Sequence, residues 1–271
     1  MHAFEYHRPA STKEALSLAG KKEEGRYLAG GQSLVQAMKL RLSSPSDLID
    51  LSSIKELGGI KASGSGVEIG AMTRHADVAG SKDVQKAIPA LAALAGIIGD
   101  RQVRHMGTLG GSIANSDPAA DYPAAVLGLG ATITTNKRKI EADKFFKGLY
   151  ETALEPGELI TSVAFPAPKR AAYMKFKNPA SRFAIVGVFV ADFGGGNIRV
   201  AVTGAGPCAF RQADMEKALA AKFAPESVAN IKVKPAGLNN DLHASPEYRA
   251  HLITVMAKRA VEAALGVRPQ T

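Results

Sequence analysis

Two glycine pairs, Gly30-Gly31 and Gly110-Gly111, constrain this chain more than any other feature of it. The second lies in Arg104 to Asp121, RHMGTLGGSIANSDPAAD, which also carries Gly107. Glycine has no Cβ, so such a backbone can take φ > 0 and let its N–H groups approach an anion that any side chain would fend off. Thr108 and Ser112 flank the pair with hydroxyl donors. The first pair lies in Ala29 to Ser33, AGGQS, after the apolar lead-in Tyr27-Leu28-Ala29. It opens a helix predicted over Leu34 to Leu42, whose first turn presents Gln32 and Ser33, and a helix N-terminus with free donors favours anions. Taken singly, a Gly-Gly pair is most often a tight turn. Two cradles of the same recipe imply two anchor points.

Neither cradle is a familiar nucleotide loop. GxxxxGK[ST] is absent, and Gly64-Ser65-Gly66 with Gly70 sits between short strands, Ile60 to Ala62 and Val67 to Ile69, so it reads as a hairpin turn. The six histidines include no HExxH or other metal-ligand spacing, which leaves them to surface or structural roles; GxSxG and a placeable carboxylate pair are also missing. The single Cys208 excludes an internal disulfide framework and an iron–sulfur cluster held by this chain alone, since such clusters need about four thiolates. Cys208 itself reads as a structural small residue. The chain offers binding rather than its own bond-breaking groups.

A net charge of +9 suits an anionic partner. Nucleic acid is disfavoured, because residues 1 to 60 are nearly balanced and no basic helix carries interleaved aromatics. Lys169 to Arg182 instead gathers Lys169, Arg170, Lys175, Lys177 and Arg182 with no acid among them. Strand alternation is expected to put Lys175 and Lys177 on one face and Met174 and Phe176 toward a core. No window approaches the roughly 20 apolar residues of a membrane span, and the opening MHAFEYHRPAS lacks the basic and apolar regions of a secretory signal, so a cytoplasmic protein is expected.

In chain order, Ser11 and Glu14 form a capping box for a helix stopped by Gly20. Strand Tyr27 to Ala29, the first cradle, its helix and strand Leu48 to Leu51 then make a β-loop-α-β unit, expected as a parallel pair joined by a right-handed crossover. From Leu57 short strands lead to one helix over Lys86 to Ile98. The second cradle, a short helix at Tyr122 to Leu127, strand Ala131 to Thr134, a solvent-facing turn at Lys137 to Lys139 and strand Leu159 to Phe165 follow. Pro166 and Pro168 mark a linker. Antiparallel strands at Ala172 to Phe176, Ala184 to Phe193 and Asn197 to Thr203, and helices at Ala213 to Ala221 and Ser245 to Leu265, complete the chain. Ser245-Pro246 is an N-cap with proline at the first helical position.

The segments AGGQSLVQAMKLRL, VRHMGTLGGSIANSDPAADYPA and YMKFKNPASRFAIVGV, in this order and at these separations, carry a resemblance. The chain resembles, over essentially its whole length, the FAD-binding medium subunits of aerobic carbon monoxide dehydrogenases and their relatives, the flavoprotein part of the xanthine dehydrogenase family of molybdenum hydroxylases. The resemblance implies an α+β fold: an FAD-binding domain of the vanillyl-alcohol-oxidase type over residues 1–168, with subdomains of about 1–56 and 57–168, and a C-terminal flavoprotein domain over 169–271 with a three-stranded antiparallel sheet and helices. FAD is then expected between the two subdomains. Its pyrophosphate is wrapped by Ala29, Gly30, Gly31, Gln32, Ser33 and Leu34 on one side and by Thr108, Leu109, Gly110, Gly111 and Ser112 on the other. Asn115 adds a polar contact, Asp121 accepts from a ribityl or ribose hydroxyl or else caps the Tyr122 helix, Ile160 packs beside the flavin and Lys175 meets its polar edge. No catalytic side chain and no metal ligand is implied.

By the same resemblance an iron–sulfur small subunit and a molybdenum-bearing large subunit are partners, as a dimer of heterotrimers. Molybdopterin and 2Fe–2S clusters belong to those partners, and electrons pass from the clusters through FAD to an external acceptor. Two positions depart from the family pattern. Ser112 stands where asparagine is usual, and Ser181-Arg182-Phe183-Ala184 replaces an acid-aromatic-alanine pattern, putting Phe183 where a phenol is common. Two alternatives stay open: a stand-alone FAD reductase of the same fold, and a non-redox scaffold for another nucleotide.

Overall fold

A computed structural model describes residues 1–22 and 24–267, so the last four residues of the expected C-terminal domain lie outside the described residues. The first unit comprises β1 (Glu5–His7), α1 (Thr12–Ala19), β2 (Arg26–Leu28), α2 (Leu34–Lys39) and β3 (Asp47–Asp50). β1 and β2 both run parallel to β3, in the order β1-β3-β2. β2 and β3 form the expected parallel pair, joined through α2. β1 was invisible to pattern reading, because Glu5 and Tyr6 are both exposed and three residues carry no alternation. Ser11 Oγ accepts from the Glu14 N–H, capping α1.

The helix expected to reach Leu42 stops at Lys39. Arg41 takes φ 59°, and the Leu42 N–H reaches back to Ala37 O while the Arg41 N–H reaches Met38 O. This is a six-to-one helix terminus that normally recruits glycine. It turns Leu40 and Leu42 outward, 71% and 78% exposed.

The second unit is built on a five-stranded sheet, β4-β5-β10-β6-β7, from β4 (Ile60–Ser63), β5 (Gly66–Gly70), β6 (Thr132–Thr135), β7 (Lys139–Glu141) and the central β10 (Ile160–Pro166). The β4–β5 turn at Gly64 is the expected hairpin. Between β5 and β6 lie α3 (His75–Gly80), α4 (Lys82–Ala87), α5 (Pro89–Gly96), α6 (Arg101–Met106), α7 (Leu109–Asn115) and α8 (Tyr122–Gly128). The helix expected over Lys86 to Ile98 is therefore two. Pro89 forces Ile88 out of the helical region, to φ −142° and ψ 73°, and starts α5 at its first position. A small hairpin of β8 (Phe146–Gly148) and β9 (Glu151–Thr152) precedes β10.

The third unit carries β11 (Arg170–Lys177), β12 (Ala184–Asp192), β13 (Ile198–Thr203) and β14 (Phe210–Arg211) in one antiparallel sheet, followed by α9 (Ala213–Ala221), α10 (Pro225–Ala229) and α11 (Pro246–Ala264). The sheet has four strands where three were expected; β14 is two residues long and offers no pattern. Every residue of β12 is buried. Val186, Val188 and Val190 face a core shared with α11, whereas Phe189 and Ala191 face the core of the second unit. A strand covered on both sides reads as a continuous apolar run.

The paired basic edge expected on β11 does not form. A register shift between Phe176 and Lys177 breaks the alternation, leaving Lys177 exposed while the Lys175 side chain is only 2% exposed. The turn at Lys137 to Lys139 is likewise not wholly solvent-facing. Arg138 donates from Nε and Nη2 to the two oxygens of Glu158, each at 3.0 Å, and the Glu158 side chain has no exposed surface.

Candidate cofactor cleft

A cleft of about 570 Å³ opens between the three-stranded sheet of the first unit and the helices of the second, in the size range of small-molecule sites. The two cradles meet across it. Ala29 to Leu34 line it from the end of β2 and the start of α2; Thr108, Gly110, Gly111, Ser112 and Asn115 line it from α7 and the residue before it. Asp121 and Ile160 also border it. Two residues expected there do not. Leu109 is fully buried in the core, and Lys175 sits behind Asp121.

The glycines work differently from expectation. Gly31 takes φ +70°, but Gly110 and Gly111 lie in the right-handed turns of α7, capped by Thr108 Oγ1 accepting from the Gly111 N–H. Their role is close approach. A Cβ on Gly110 would stand 2.5 Å from Ala71 Cβ, and one on Gly30 would stand 2.1 Å from Met106 O and 2.6 Å from Gly107 Cα. The first cradle is thus pressed directly onto the turn that leads into the second.

The donors are also unevenly shared. In the second cradle Leu109 N–H goes to Thr73 O, Gly110 N–H to Ala71 O and Ser112 N–H to Thr108 O. In the first, the N–H groups of Gly31, Gln32, Ser33 and Leu34 find no acceptor among the described residues. Four consecutive donors without a protein acceptor, beside a positive-φ glycine and on the cleft wall, suit an anion such as a pyrophosphate, so the residues present fit the phosphate part of a dinucleotide such as FAD.

At one end of the cleft Asp121 accepts from Tyr173 Oη at 2.5 Å and from Lys175 Nζ at 3.0 Å, and makes no capping bond to α8. Burial pushes the Asp121 carboxyl above the ordinary carboxylate range, against the pull of the Lys175 ammonium and the Tyr173 hydroxyl. Lys175 Nζ donates further to Ile97 O and Arg182 O, holding the 178–183 loop beside Asp121. Arg182 and Phe183 from that loop reach the cleft, with Arg182 at φ 63° and Phe183 48% exposed. At the other end Tyr27 donates to Gly157 O and burial pushes its phenol up to about 12. Glu158, held by Arg138, stays ionised with its carboxyl lowered to about 2.

Among the lining residues that the sequence did not point to are His75, Asp117 and Tyr150. Tyr150 takes φ 54° and is 60% exposed, and Asp117 Oδ1 accepts from the Ala119 N–H. His75 lies beside Met72-Thr73, outside any motif; burial, then the charge of Arg104, pushes its imidazole down to about 4. Only the proximity of apolar helices to the second cradle could have hinted at it. No group of three or more His, Cys, Asp or Glu able to hold a metal occurs among the described residues.

Residues 2–168 match the family described as "FAD binding domain in molybdopterin dehydrogenase". The chain is 38% identical to the carbon monoxide dehydrogenase medium chain of Hydrogenophaga pseudoflava, covering 96% of each. It is 35% identical to the glyceraldehyde dehydrogenase medium chain of Sulfolobus acidocaldarius, over 95% of this chain and 96% of that one. The solved carbon monoxide dehydrogenase of Hydrogenophaga pseudoflava contains a chain that superposes with a TM-score of 0.87 at 37% identity, 98% of each chain being covered. Cleft, cradles and these likenesses agree: the chain belongs to the family of FAD-binding subunits of molybdenum-hydroxylase-type dehydrogenases.

Proposed function

We propose that this chain binds FAD in the cleft, receives electrons from 2Fe–2S clusters on a small partner subunit and delivers them to an external acceptor, while a molybdopterin-bearing large subunit oxidises the substrate. The observation that carries it is that Gly31 to Leu34, whose N–H groups have no acceptor among the described residues, line one cleft together with the second cradle. When bound, FAD supplies the two-electron to one-electron redox chemistry, and the protein supplies binding and orientation. Gly31 to Leu34 would hold the pyrophosphate, with the Thr108 and Ser112 hydroxyls opposite. Asn115 and Asp121 would meet the sugar or ribityl hydroxyls, and Ile160 the apolar face of the cofactor. The Asp121–Lys175 pair would anchor the flavin end indirectly.

Residues 1–168 then form the FAD-binding domain, with subdomains near 1–56 and 57–168, and 169–271 the C-terminal flavoprotein domain. One cysteine cannot ligate a cluster, so the clusters belong to another chain. The assembly is a dimer of heterotrimers in the cytoplasm; among the described residues no helix is long and apolar enough to cross a membrane. The test is a visible spectrum of the purified protein with identification of the released cofactor, joined to a native pull-down. A flavin spectrum, released FAD and recovery of an iron–sulfur and a molybdenum subunit are expected. A colourless protein carrying another nucleotide, or repeated recovery of this chain alone, overturns the reading.

A further inference from the structure

The second cradle leaves a question of chemistry: three of its N–H groups, those of Leu109, Gly110 and Ser112, are spent on protein carbonyls, and that of Gly111 on Thr108 Oγ1. Only the Thr108 and Ser112 hydroxyls are then left on that side for an anion wrapped from both. His75 stands at that point. It opens α3, its own N–H donates to Gly107 O at 3.0 Å, and the neighbouring Arg74 bridges Thr108. Its ring presses so closely on the cradle's lead-in that a Cβ on Gly107 would lie 2.5 Å from Nε2. The side chain is 4% exposed, borders the cleft and makes no hydrogen bond among the described residues. Nδ1 is sealed and unpartnered, its ring side packed at 5.2 Å and 53° against Tyr122.

The orphaned Nδ1 decides the tautomer. A buried N–H with no acceptor is rarer and costlier than an under-used lone pair, so the proton belongs on Nε2, the nitrogen that keeps access to the cleft. Burial and the nearby Arg104 keep the ring neutral. We infer that His75 is a neutral hydrogen-bond donor that fixes the pyrophosphate of the dinucleotide through Nε2–H, completing the second anchor point that the α7 backbone cannot supply. This rests on the FAD reading above. His75 is a positioning residue for the cofactor, not a proton carrier.

The test measures FAD and ADP binding by the deflavinated full chain, with whatever subunits accompany it, for the wild type, His75→Leu and His75→Gln. Leucine keeps volume without a donor, whereas glutamine returns an amide N–H near the Nε2 position. His75→Leu is expected to bind both ligands about tenfold more weakly or worse, the scale of one hydrogen bond to a charged group. Glutamine is expected to restore most of the loss, and the unfolding temperature of the ligand-free His75→Leu protein should not fall. Loss for FAD with none for ADP overturns the pyrophosphate assignment. Equal weakening in His75→Gln and His75→Leu with lowered ligand-free stability makes His75 merely structural and overturns it too. Nitrogen-15 chemical shifts of the wild-type ring test the same claim without a variant: a protonated Nε2 and bare Nδ1 support it, and the opposite tautomer or a charged ring overturns it. Failure of the wild type itself to bind FAD would strike the functional reading instead.

Discussion

Gly30 has the least room of the glycines that line the cleft, because a Cβ there would meet the backbone of Met106 and Gly107 rather than a movable side chain. Gly30→Ala is therefore expected to destabilise even the flavin-free protein by about 1–3 kcal/mol, the usual range of overpacking, and to empty the site of FAD. Gly111→Ala meets only Thr108 Oγ1 at 2.9 Å and Ala29 Cβ at 3.3 Å and should cost less. Denaturant titration of the two flavin-free variants checks the order; equal stabilities would contradict it. His75 gives a pH signature at the same scale. Its imidazole is depressed from the ordinary 6.5 to about 4 in the fold, so between these values the unfolded chain binds more protons than the folded one. Stability is expected to fall as pH drops from about 6.5 toward 4, and His75→Leu should flatten that limb of the curve. An unchanged slope in the variant would assign the acid loss to other groups. Neither residue's importance was fully legible in the sequence. The glycine pairs marked the right loops, but the reason at Gly110 is contact with Ala71, a partner some forty residues away that no local pattern announces.

At the scale of elements, the strands and helices with strong local signals lie where the sequence put them: the β4–β5 hairpin, β12 to β13 with its three-glycine turn, α9, and α11 capped by Ser245. Errors cluster where a local breaker was overlooked or a neighbouring strand supplied the order. Pro89 split one expected helix, the positive φ of Arg41 shortened α2, and β14 exists only because β13 offers an edge. The β6–β7 turn shows the same lesson in charge. The segment KRK looks like solvated surface, yet Arg138 bridges the turn to Glu158, which also accepts from Thr135 Oγ1 at 2.7 Å and from the Glu155 N–H at 2.8 Å. Removing the cation leaves a carboxylate with no exposed surface and no counter-charge at the cleft wall. Arg138→Ala is thus expected to lower stability measurably, moderated because the guanidinium is 43% exposed and Glu158 keeps its bonds from Thr135 and Glu155, whereas Lys139→Ala, on an exposed position of β7, should fall within about 0.5 kcal/mol of wild type. Urea unfolding of the two variants measures this, and comparable midpoints would show that Glu158 finds relief elsewhere.

At the scale of the whole molecule, the second and third units meet at a buried ion pair. Asp121 stands at the start of α8 in the second unit and Lys175 on β11 of the third, and Tyr173, also on β11, adds a second bond to the same carboxylate. Lys175 then reaches Ile97 O and Arg182 O, so one ammonium ties the helical layer, the C-terminal sheet and the loop at the cleft mouth together. The sequence placed Lys175 in the right neighbourhood, but it did not show that a carboxylate 54 positions earlier would stand between the lysine and the cleft. That interposition changes what the lysine does. A free cation beside a flavin stabilises the reduced anion and raises its potential; a cation paired with Asp121 contributes little net charge. Without Lys175, burial already pushing the Asp121 carboxyl upward favours its protonation, and the pair's site stays neutral. Lys175→Met is therefore expected to lower stability, by less than the ~3–5 kcal/mol of leaving a buried charge unpaired because Asp121 can take a proton, with the flavin midpoint potential unchanged. Denaturant unfolding and a spectroelectrochemical titration of the same preparation separate the two effects. A lowered potential with intact stability would make Lys175 an electrostatic tuner of the flavin, and the second and third units would then be held by their apolar core and by the other bonds that cross between them, such as Thr203 to Ala120 O and Arg199 to Leu127 O.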